Sequence, residues 1–206
     1  MLKRSKKEKI IETAKEMFLK FKFSSVTIDE ISRNIGISKK TVYKYFPSKK
    51  QILYSVVKTL MSTIDSQARK ILLDREMDYF QKLKKMMKFT GRQASYLSTP
   101  FVKEIKKKFP DLWDEIMKFR KEKVRTYMLI LLEEGVEKGF FSPDFDKELF
   151  IHLYINLATV SIDPDFLSET TLTASDVFEE IIFVIFNGIF TEKGRKFSKE
   201  LFEEKS

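Results

Sequence analysis

The sequence predicts an all-α protein, and three observations support this fold class. Apolar residues recur with the 3.6-residue period of amphipathic helices along most of the 206-residue chain. Only six glycines and five prolines interrupt these periods, and no segment alternates apolar and polar residues as a half-buried strand would. Three helix-start signals also fall between residues 24 and 50. We therefore expect helices throughout, with a small three-helix unit near the N-terminus.

The first helix is predicted over residues 6–22. Its period places one apolar stripe toward the interior, which consists of Ile10, Ile11, Ala14, Phe18 and Phe21. The preceding segment is basic but is followed by this amphipathic pattern instead of a continuous apolar run, so a signal peptide is not expected.

The second helix is predicted to begin at Ile28. Thr27 and Glu30 have the spacing of a capping box, in which each side chain accepts a hydrogen bond from a backbone amide of the first turn. One apolar stripe follows, made of Ile28, Ile31 and Ile35. Gly36 then ends the helix, because glycine adopts the left-handed conformation of a tight turn with little penalty.

A third helix follows directly, with Ser38 as its predicted N-cap. Its inward residues are Ile37, Val42 and Phe46, and its outward residues are Lys39, Lys40, Thr41, Tyr43 and Lys44. Pro47 ends it, and Ser48 with Gln51 predicts a new start at Lys49. The helix from Lys49 is expected to extend to about Leu73.

Two short helices around one glycine form the pattern of a helix-turn-helix, which indicates DNA binding. The distribution of charge agrees with this interpretation. Residues 1–50 hold 14 Lys+Arg against 5 Asp+Glu, a net charge of +9, whereas residues 51–206 hold 25 of each. A localised basic region is the electrostatic signature of nucleic-acid binding, although a solvated basic surface would also account for the charge alone.

The segment TIDEISRNIGISKKTVYKYFPSKKQIL, residues 27–53, resembles the N-terminal DNA-binding domain of the tetracycline-repressor (TetR) family of bacterial transcription regulators. Its YKYFPSKKQIL end is the most specific part. Ser32 and Val42 stand where the family often has Ala and Leu, and Lys39 and Lys40 make the turn more basic than usual. The resemblance implies a homodimeric repressor whose variable C-terminal domain binds a small-molecule inducer.

This resemblance and the chemistry of the outward residues define the predicted DNA-binding set. Helix starts can hold phosphates with hydroxyl, ammonium and amide groups, and tyrosines at matching positions of the family lie against the DNA backbone. Lysine can donate to guanine, and the threonine methyl can contact thymine. The predicted residues are Thr27 and Lys49 at helix starts, Tyr43 and Tyr45 toward the backbone, and Lys39, Lys40, Thr41 and Lys44 toward bases or phosphates.

The predicted domains are a helix-turn-helix DNA-binding domain over residues 1–48 and a helical effector-binding and dimerisation domain over residues 49–206. In the second domain we expect helices near residues 76–90, 100–108, 111–138, 145–161 and 174–190, followed by a short charged tail helix. Gly139 is the expected C-cap of the long third helix of this set, residues 111–138.

The last two long helices carry large apolar residues on more than one face, which favours an interface between two subunits. In the family, the corresponding helices form the dimer. The predicted interface residues are Leu149, Leu153, Phe178, Ile182, Phe183, Phe186 and Phe190. Burial of all of them in the core of a single protomer is the alternative interpretation.

Flexible and aromatic residues in the middle helices predict an adaptable pocket for a largely apolar effector. The candidate pocket residues are Met86, Tyr96, Trp113, Met117, Tyr127, His152 and Asn156. The same side chains could instead fill an ordinary core.

Enzyme chemistry is not expected from this sequence. A single histidine and no cysteine exclude a Cys-His pair and a Cys-ligated zinc site, and no Gly-rich phosphate loop is present. A hydrolase that uses carboxylates alone is left open. No cofactor or metal is predicted, and the absence of cysteine fits a cytoplasmic protein.

The sequence therefore predicts a sequence-specific DNA-binding regulator, a repressor released from a palindromic operator by a small-molecule effector. The expected partners are double-stranded DNA, a second copy of the chain and the effector, with no membrane. A non-sequence-specific architectural DNA-binding protein is the alternative, because it would share the basic region and the helices. A helical module that binds a membrane or a partner protein is the third interpretation.

Overall fold

The described part of the chain contains ten complete helices, followed by a helical segment at residues 192–196. The computed structural model describes residues 5–97, 99–161 and 163–196. Across these residues there is no β-strand, and one isolated bridge pairs Phe141 with Phe190. The all-α fold class is confirmed. The helices are α1 (Lys6–Phe21), α2 (Ile28–Asn34), α3 (Lys39–Tyr45), α4 (Lys49–Leu72), α5 (Tyr79–Leu97), α6 (Pro100–Lys108), α7 (Pro110–Glu137), α8 (Lys147–Val160), α9 (Pro164–Ser168) and α10 (Ala174–Asn187).

Several observed helix bounds differ from the predicted ones; for example, the helix expected over 174–190 ends at Asn187. The helix expected over 76–90 starts three residues later and continues to Leu97. The short α9, capped by Asp163, was not predicted. Residues 192–196 are helical, and the rest of the predicted tail helix lies outside the described residues.

One predicted core position in α1 is wrong. Phe21 is 49% exposed, because the chain leaves the helix at Lys22 with a left-handed φ of 68°. Phe23, just beyond this reversal, packs instead against Phe18 with ring centroids 5.3 Å apart. Ile10, Ala14 and Phe18 are fully buried as predicted.

The first compact unit comprises residues Met1–Ile64 and Thr99–Ile116. Its fully buried side chains come from all of its helices and include Ile10, Ala14, Phe18, Ile31, Val42, Ile52, Leu53 and Phe101. Helix α6 belongs to this unit because Phe101 stacks on Phe18 with centroids 6.2 Å apart, and Phe109 meets Phe23 edge-on at 5.1 Å. The predicted domain boundary between residues 48 and 49 is a functional division and stays a prediction. The packing unit differs from that predicted domain, because it also includes the first part of α4 and residues Thr99–Ile116.

The second compact unit comprises residues Asp65–Ser98 and Met117–Ser206. Helix α10 packs on α5 and α8, and a cluster of aromatic rings fills the space between its helices. Phe141 is 5.7 Å from Phe186 and 5.4 Å from Phe190, and Phe150 meets Phe186 at 5.3 Å. Tyr79 is buried against Phe141, and its hydroxyl donates to the carbonyl of Leu131 at 2.9 Å.

The burial of α10 corrects part of the predicted dimer interface. Phe178, Ile182, Phe186 and Phe190 are each at most 6% exposed and lie in the core of the second unit. Their side chains are already desolvated inside one protomer, so they offer no surface to a second one. Leu149, Leu153 and Phe183 are exposed, by 58%, 51% and 44%.

Candidate nucleic-acid interface

The helix-turn-helix begins with the capping box predicted at α2. The backbone amide and the hydroxyl of Thr27 donate to the Glu30 carboxylate at 2.7 and 2.8 Å, and the Glu30 amide donates to the Thr27 hydroxyl at 3.2 Å. These bonds lower the pKa of Glu30 from its ordinary value, the backbone hydrogen bond of Thr27 being the largest cause. The Thr27 side chain is exposed but is engaged in this cap.

The turn between α2 and α3 depends on Gly36. Its φ is +68°, a conformation that side-chain-bearing residues rarely adopt. The Gly36 amide donates to the carbonyl of Arg33 at 3.2 Å, and the Ile37 amide donates to the carbonyl of Ser32 at 3.1 Å. These two hydrogen bonds close the turn. Ser32 is buried, so its small side chain allows the close approach of the chain at this point.

Helix α3 presents an exposed face of cations and aromatic rings. Ser38 caps the helix by accepting from the Thr41 amide at 3.2 Å, and Val42 anchors the opposite face with no exposed surface. The exposed residues are Lys39, Lys40, Tyr43, Lys44 and Tyr45, with Thr41 partly buried beside them. The seven residues of α3 include no carboxylate, so this face is suited to anionic phosphates and to the acceptor atoms of bases.

Lys39 differs from the other lysines of α3 because it has an ion partner on α2. Its ammonium lies 3.0 Å from the Asp29 carboxylate, and both side chains are about half exposed. The hydrogen bond to Asp29 raises the pKa of Lys39. A phosphate that binds Lys39 would therefore compete with Asp29, whereas Lys40 and Lys44 have no ion partner among the described residues.

Lys49, at the first position of α4, is held by its own chain. Its ammonium donates to the carbonyls of Phe23 at 2.9 Å and Val26 at 2.7 Å, and lies 4.2 Å from the centre of the Phe23 ring. Burial lowers the pKa of Lys49. The predicted phosphate contact of Lys49 stays a prediction, and the structure adds an intramolecular role that the sequence pattern did not indicate.

The comparison with known families agrees with this geometry. Residues 10–56 match the family model of bacterial regulatory proteins, tetR family. The match spans both helices around Gly36 and the start of α4. Residues 10–56 therefore form a DNA-binding domain of the TetR family. Regulators of the TetR family bind DNA operators and act as dimers.

Relatives over most of the chain are also regulators of transcription. The HTH-type transcriptional regulator YvaF of Bacillus subtilis is 27% identical over 175 residues, which cover 85% of this chain and 91% of that protein. The HTH-type transcriptional repressor KstR2 of Mycolicibacterium smegmatis is 23% identical over 195 residues, covering 93% and 94%. These TetR-family relatives are regulators and not enzymes.

Solved structures show the same TetR-family fold. A transcriptional regulator from Cytophaga hutchinsonii aligns with a TM-score of 0.69 at 21% identity, over 89% of this chain and 98% of its own. The reduced form of NemR from E. coli aligns with a TM-score of 0.67 at 17% identity, over 91% and 98%.

The seven predicted pocket residues are divided between the two compact units and differ in their burial. Met86 and Tyr127 are buried in the second unit, and the Tyr127 hydroxyl is bonded to Asp65. Trp113 belongs to the first unit, where the Lys106 ammonium lies 5.8 Å from its ring. The hydroxyl of Tyr96 is buried and has no hydrogen-bond partner among the described residues.

His152 and Asn156 are exposed on α8. The His152 Nδ1 lies 3.1 Å from the Glu148 carbonyl, and the Asn156 amide donates to the His152 carbonyl at 2.8 Å. Both side chains therefore bond to the backbone of their own helix. Their effector role stays a prediction without geometric support from this protomer.

A cavity of about 150 Å³ lies elsewhere in the second unit, and only Met117 of the predicted set lines it. Two polar residues that line this cavity, Arg120 and Tyr154, were not predicted from the sequence. An arginine on a helix usually lies on the solvated face, and a tyrosine usually lies in the core. The lining residues are Met117, Arg120, Lys121, Val124, Tyr154, Ile155, Ala158 and Thr159.

Within the described residues, no cluster of three or more His, Cys, Asp or Glu side chains could hold a metal ion. Among the same described residues, no helix combines the length and the hydropathy that a membrane span requires.

Proposed function

We propose that this TetR-family chain is a cytoplasmic repressor that binds a palindromic operator as a homodimer and is released by a small-molecule effector. The observation that carries the proposal is the exposed face of α3, a carboxylate-free set of lysines and tyrosines on the second helix of a helix-turn-helix. The name of KstR2 as a repressor supports repression over activation.

In this proposal, α3 enters the major groove, as the second helix of such motifs does. Lys40 and Lys44 extend from the helix without an ion partner among the described residues, so they are available to guanine O6 and N7 or to phosphates. Tyr43 and Tyr45, 43% and 38% exposed, contact the DNA backbone. The capped start of α2 at Thr27 directs backbone amides toward a phosphate.

The second part of the proposal is a homodimer formed through an exposed face of α8 and α10. Leu149, Leu153 and Leu157 follow one another at intervals of four residues on α8, and each is at least 39% exposed. On α10, Phe183 and Val184 are 44% and 68% exposed. Exposed apolar residues on two helices that pack on each other favour protein association, and a two-fold pairing would hold two α3 helices for half-sites about 34–36 Å apart.

Release by an effector requires only that the ligand bind more tightly to a dimer conformation that cannot fit the operator. The effector site is proposed in the second unit, and its chemistry is developed below.

Selection of DNA from a random pool by the purified protein tests the proposal. We expect a palindromic consensus and binding that weakens steeply with salt. Tyr43→Ala should weaken binding to that consensus roughly tenfold, in line with one lost backbone contact, while the matched variant Tyr54→Ala on α4 should leave it unchanged. A pool without a consensus would instead support an architectural DNA-binding protein.

A further inference from the structure

The cavity of the second unit contains a cation without a matching anion. Arg120 lines it, and the only protein hydrogen bond of its guanidinium within the described residues goes to the Ala158 carbonyl, at 3.3 Å. A guanidinium has five N–H donors, so most of them have no protein acceptor. Burial lowers the pKa of Arg120, which reflects a charged group partly removed from water.

Among the described residues, no acidic side chain lines this cavity. Its polar groups besides Arg120 are Lys121, Thr159 and Tyr154, and burial raises the pKa of Tyr154 to about 12. The phenol is therefore neutral at physiological pH and cannot neutralise the cation. Buried charges in proteins are generally paired, and here the structure places a positive cavity next to a neutral hydrogen-bonding hydroxyl.

The remaining lining is apolar and limits the size of a ligand. Met117, Val124 and Ile155 form apolar walls of a cavity of about 150 Å³. A cavity of about this size in another protein accommodates benzene, so the space suits roughly six to ten non-hydrogen atoms. Lys121 and Thr159 are exposed and mark the side that opens to solvent.

We infer that this cavity, the Arg120 cavity, binds a small organic carboxylate whose anionic head pairs with Arg120 and whose apolar body lies between Met117, Val124 and Ile155. The guanidinium fork matches a carboxylate in a bidentate geometry, and the apolar walls favour a short aliphatic or aromatic body over inorganic phosphate. This inference rests on the proposed function, because it names the chemical class of the effector.

Calorimetric titration of the full-length protein with two charge-matched pairs of probes tests the inference. The pairs are benzoate with benzamide and hexanoate with hexanamide, which share shape but differ in charge. We expect at least one carboxylate to bind tenfold or more tightly than its amide. Equal affinity within both pairs, or no binding of any probe at millimolar concentration, would overturn the inference, as would tighter binding of inorganic phosphate than of either carboxylate.

Two variants assign the preference to Arg120. Arg120→Met should reduce the ratio of carboxylate affinity to amide affinity to about one. Arg120→Lys should retain part of the preference for the carboxylate, because lysine keeps the positive charge but lacks the forked guanidinium. Arg125→Met is the matched control, since Arg125 lies on the same helix but pairs with Glu148 on an exposed surface. A preference that survives in Arg120→Met would refute the assignment, and melting curves confirm that each variant is folded.

Operator binding separates this inference from the proposed function. If the protein selects a palindromic DNA sequence but does not distinguish carboxylates from amides, the inference fails and the proposed function stands. If the protein prefers a carboxylate through Arg120 but selects no DNA sequence, the inference stands and the proposed function fails.

Discussion

Glu104 on α6 accepts hydrogen bonds from both the backbone amide and the hydroxyl of Ser24, which lies 80 residues earlier in the loop after α1. Only 9% of the surface of Glu104 is exposed, and Lys108 donates to the same carboxylate at 2.9 Å. Despite the opposing effect of burial, which is the largest single influence, the bonds from Ser24 and Lys108 lower the pKa of Glu104 to about 2. A buried carboxylate thus connects α6 to the loop that precedes the helix-turn-helix.

Glu104→Gln is expected to lower the free energy of unfolding at pH 7 by about 1.5–3 kcal/mol, the range for a hydrogen bond to a charged group. Chemical denaturation at several pH values provides the measurement. The folded-state pKa of about 2 lies below the ordinary value of 4.5, so the carboxylate stabilises the native state fully above about pH 4.5. This contribution is lost as the pH falls toward 2.

The difference between wild type and Glu104→Gln should accordingly shrink over that acidic range. Asp65, whose pKa is also lowered to about 2, titrates in both proteins and cancels from the difference. Glu115→Gln, an exposed carboxylate on α7, is the control and should change stability little. A pH-independent difference would contradict the assigned role of the Glu104 charge.

Lys49→Met should destabilise the protein by about 1–3 kcal/mol, because the carbonyls of Phe23 and Val26 would lose their donor near a buried chain segment. DNA affinity would fall together with stability if the ammonium acts mainly inside the protein. The control is Lys50→Met at the adjacent exposed position. A melting temperature unchanged by Lys49→Met, with weaker operator binding, would favour a direct phosphate contact instead.

Lys40→Met should weaken operator binding and reduce the slope of log affinity against log salt concentration by about one, as expected for one lost phosphate contact. Fluorescence anisotropy at several salt concentrations gives that slope. Lys39→Met should reduce it less, because Lys39 is already paired with Asp29. Equal slopes for Lys40→Met and wild type would show that Lys40 does not contact phosphate.

Leu153→Glu should convert the proposed homodimer into monomers, since it places a charge in the middle of the exposed leucines of α8. Sedimentation velocity measures the change, and the monomer should stay folded because Leu153 is already half exposed. Leu73→Glu replaces a leucine that is 71% exposed at the end of α4 and should leave the dimer intact. A dimeric Leu153→Glu protein would place the interface elsewhere.

Two helical glycines provide a matched test of packing in the second unit. A Cβ atom at Gly135 would overlap the Phe141 ring and the Tyr79 hydroxyl, whereas at Gly91 its nearest neighbours lie at an ordinary 3.6 Å. Gly135→Ala should therefore destabilise by about 1–3 kcal/mol. Gly91→Ala should stabilise by up to about 1 kcal/mol through helix propensity. Thermal melting distinguishes the two, and a stabilising Gly135→Ala would contradict the packing at this site.

The local features of the helix-turn-helix could be predicted because their causes lie within a few residues. The Thr27–Glu30 capping box and the left-handed Gly36 both follow from short-range hydrogen bonding and backbone sterics. The family model matches the same segment. The left-handed conformation of Gly139 at the end of α7 is predictable on the same grounds.

Contacts between distant segments could not be predicted in this way. A lysine at a helix start reads as a phosphate ligand, and only the folded loop shows that Lys49 reaches two carbonyls more than twenty residues earlier. Glu104 likewise resembles a solvated helix charge until Ser24 is placed beside it.

The sequence shows that α8 and α10 carry apolar residues on more than one face. Which of these faces is buried depends on the rotation of each helix about its axis, and periodicity does not determine this rotation when several faces are apolar. The buried Phe186 and the exposed Phe183 both fitted the expected interface pattern. Arg120 was missed for a related reason, because only the tertiary structure places it on a cavity instead of in water.

The ladder of exposed leucines on α8 also bears on how the protein would respond to its own abundance. Where two protomers must associate before they bind DNA, and most of the chain is monomeric, the concentration of the active form grows with the square of the total. A twofold change in synthesis would then change operator occupancy up to fourfold at low levels. Leu149, Leu153 and Leu157 would thus set a threshold expression level for the gene that this protein controls.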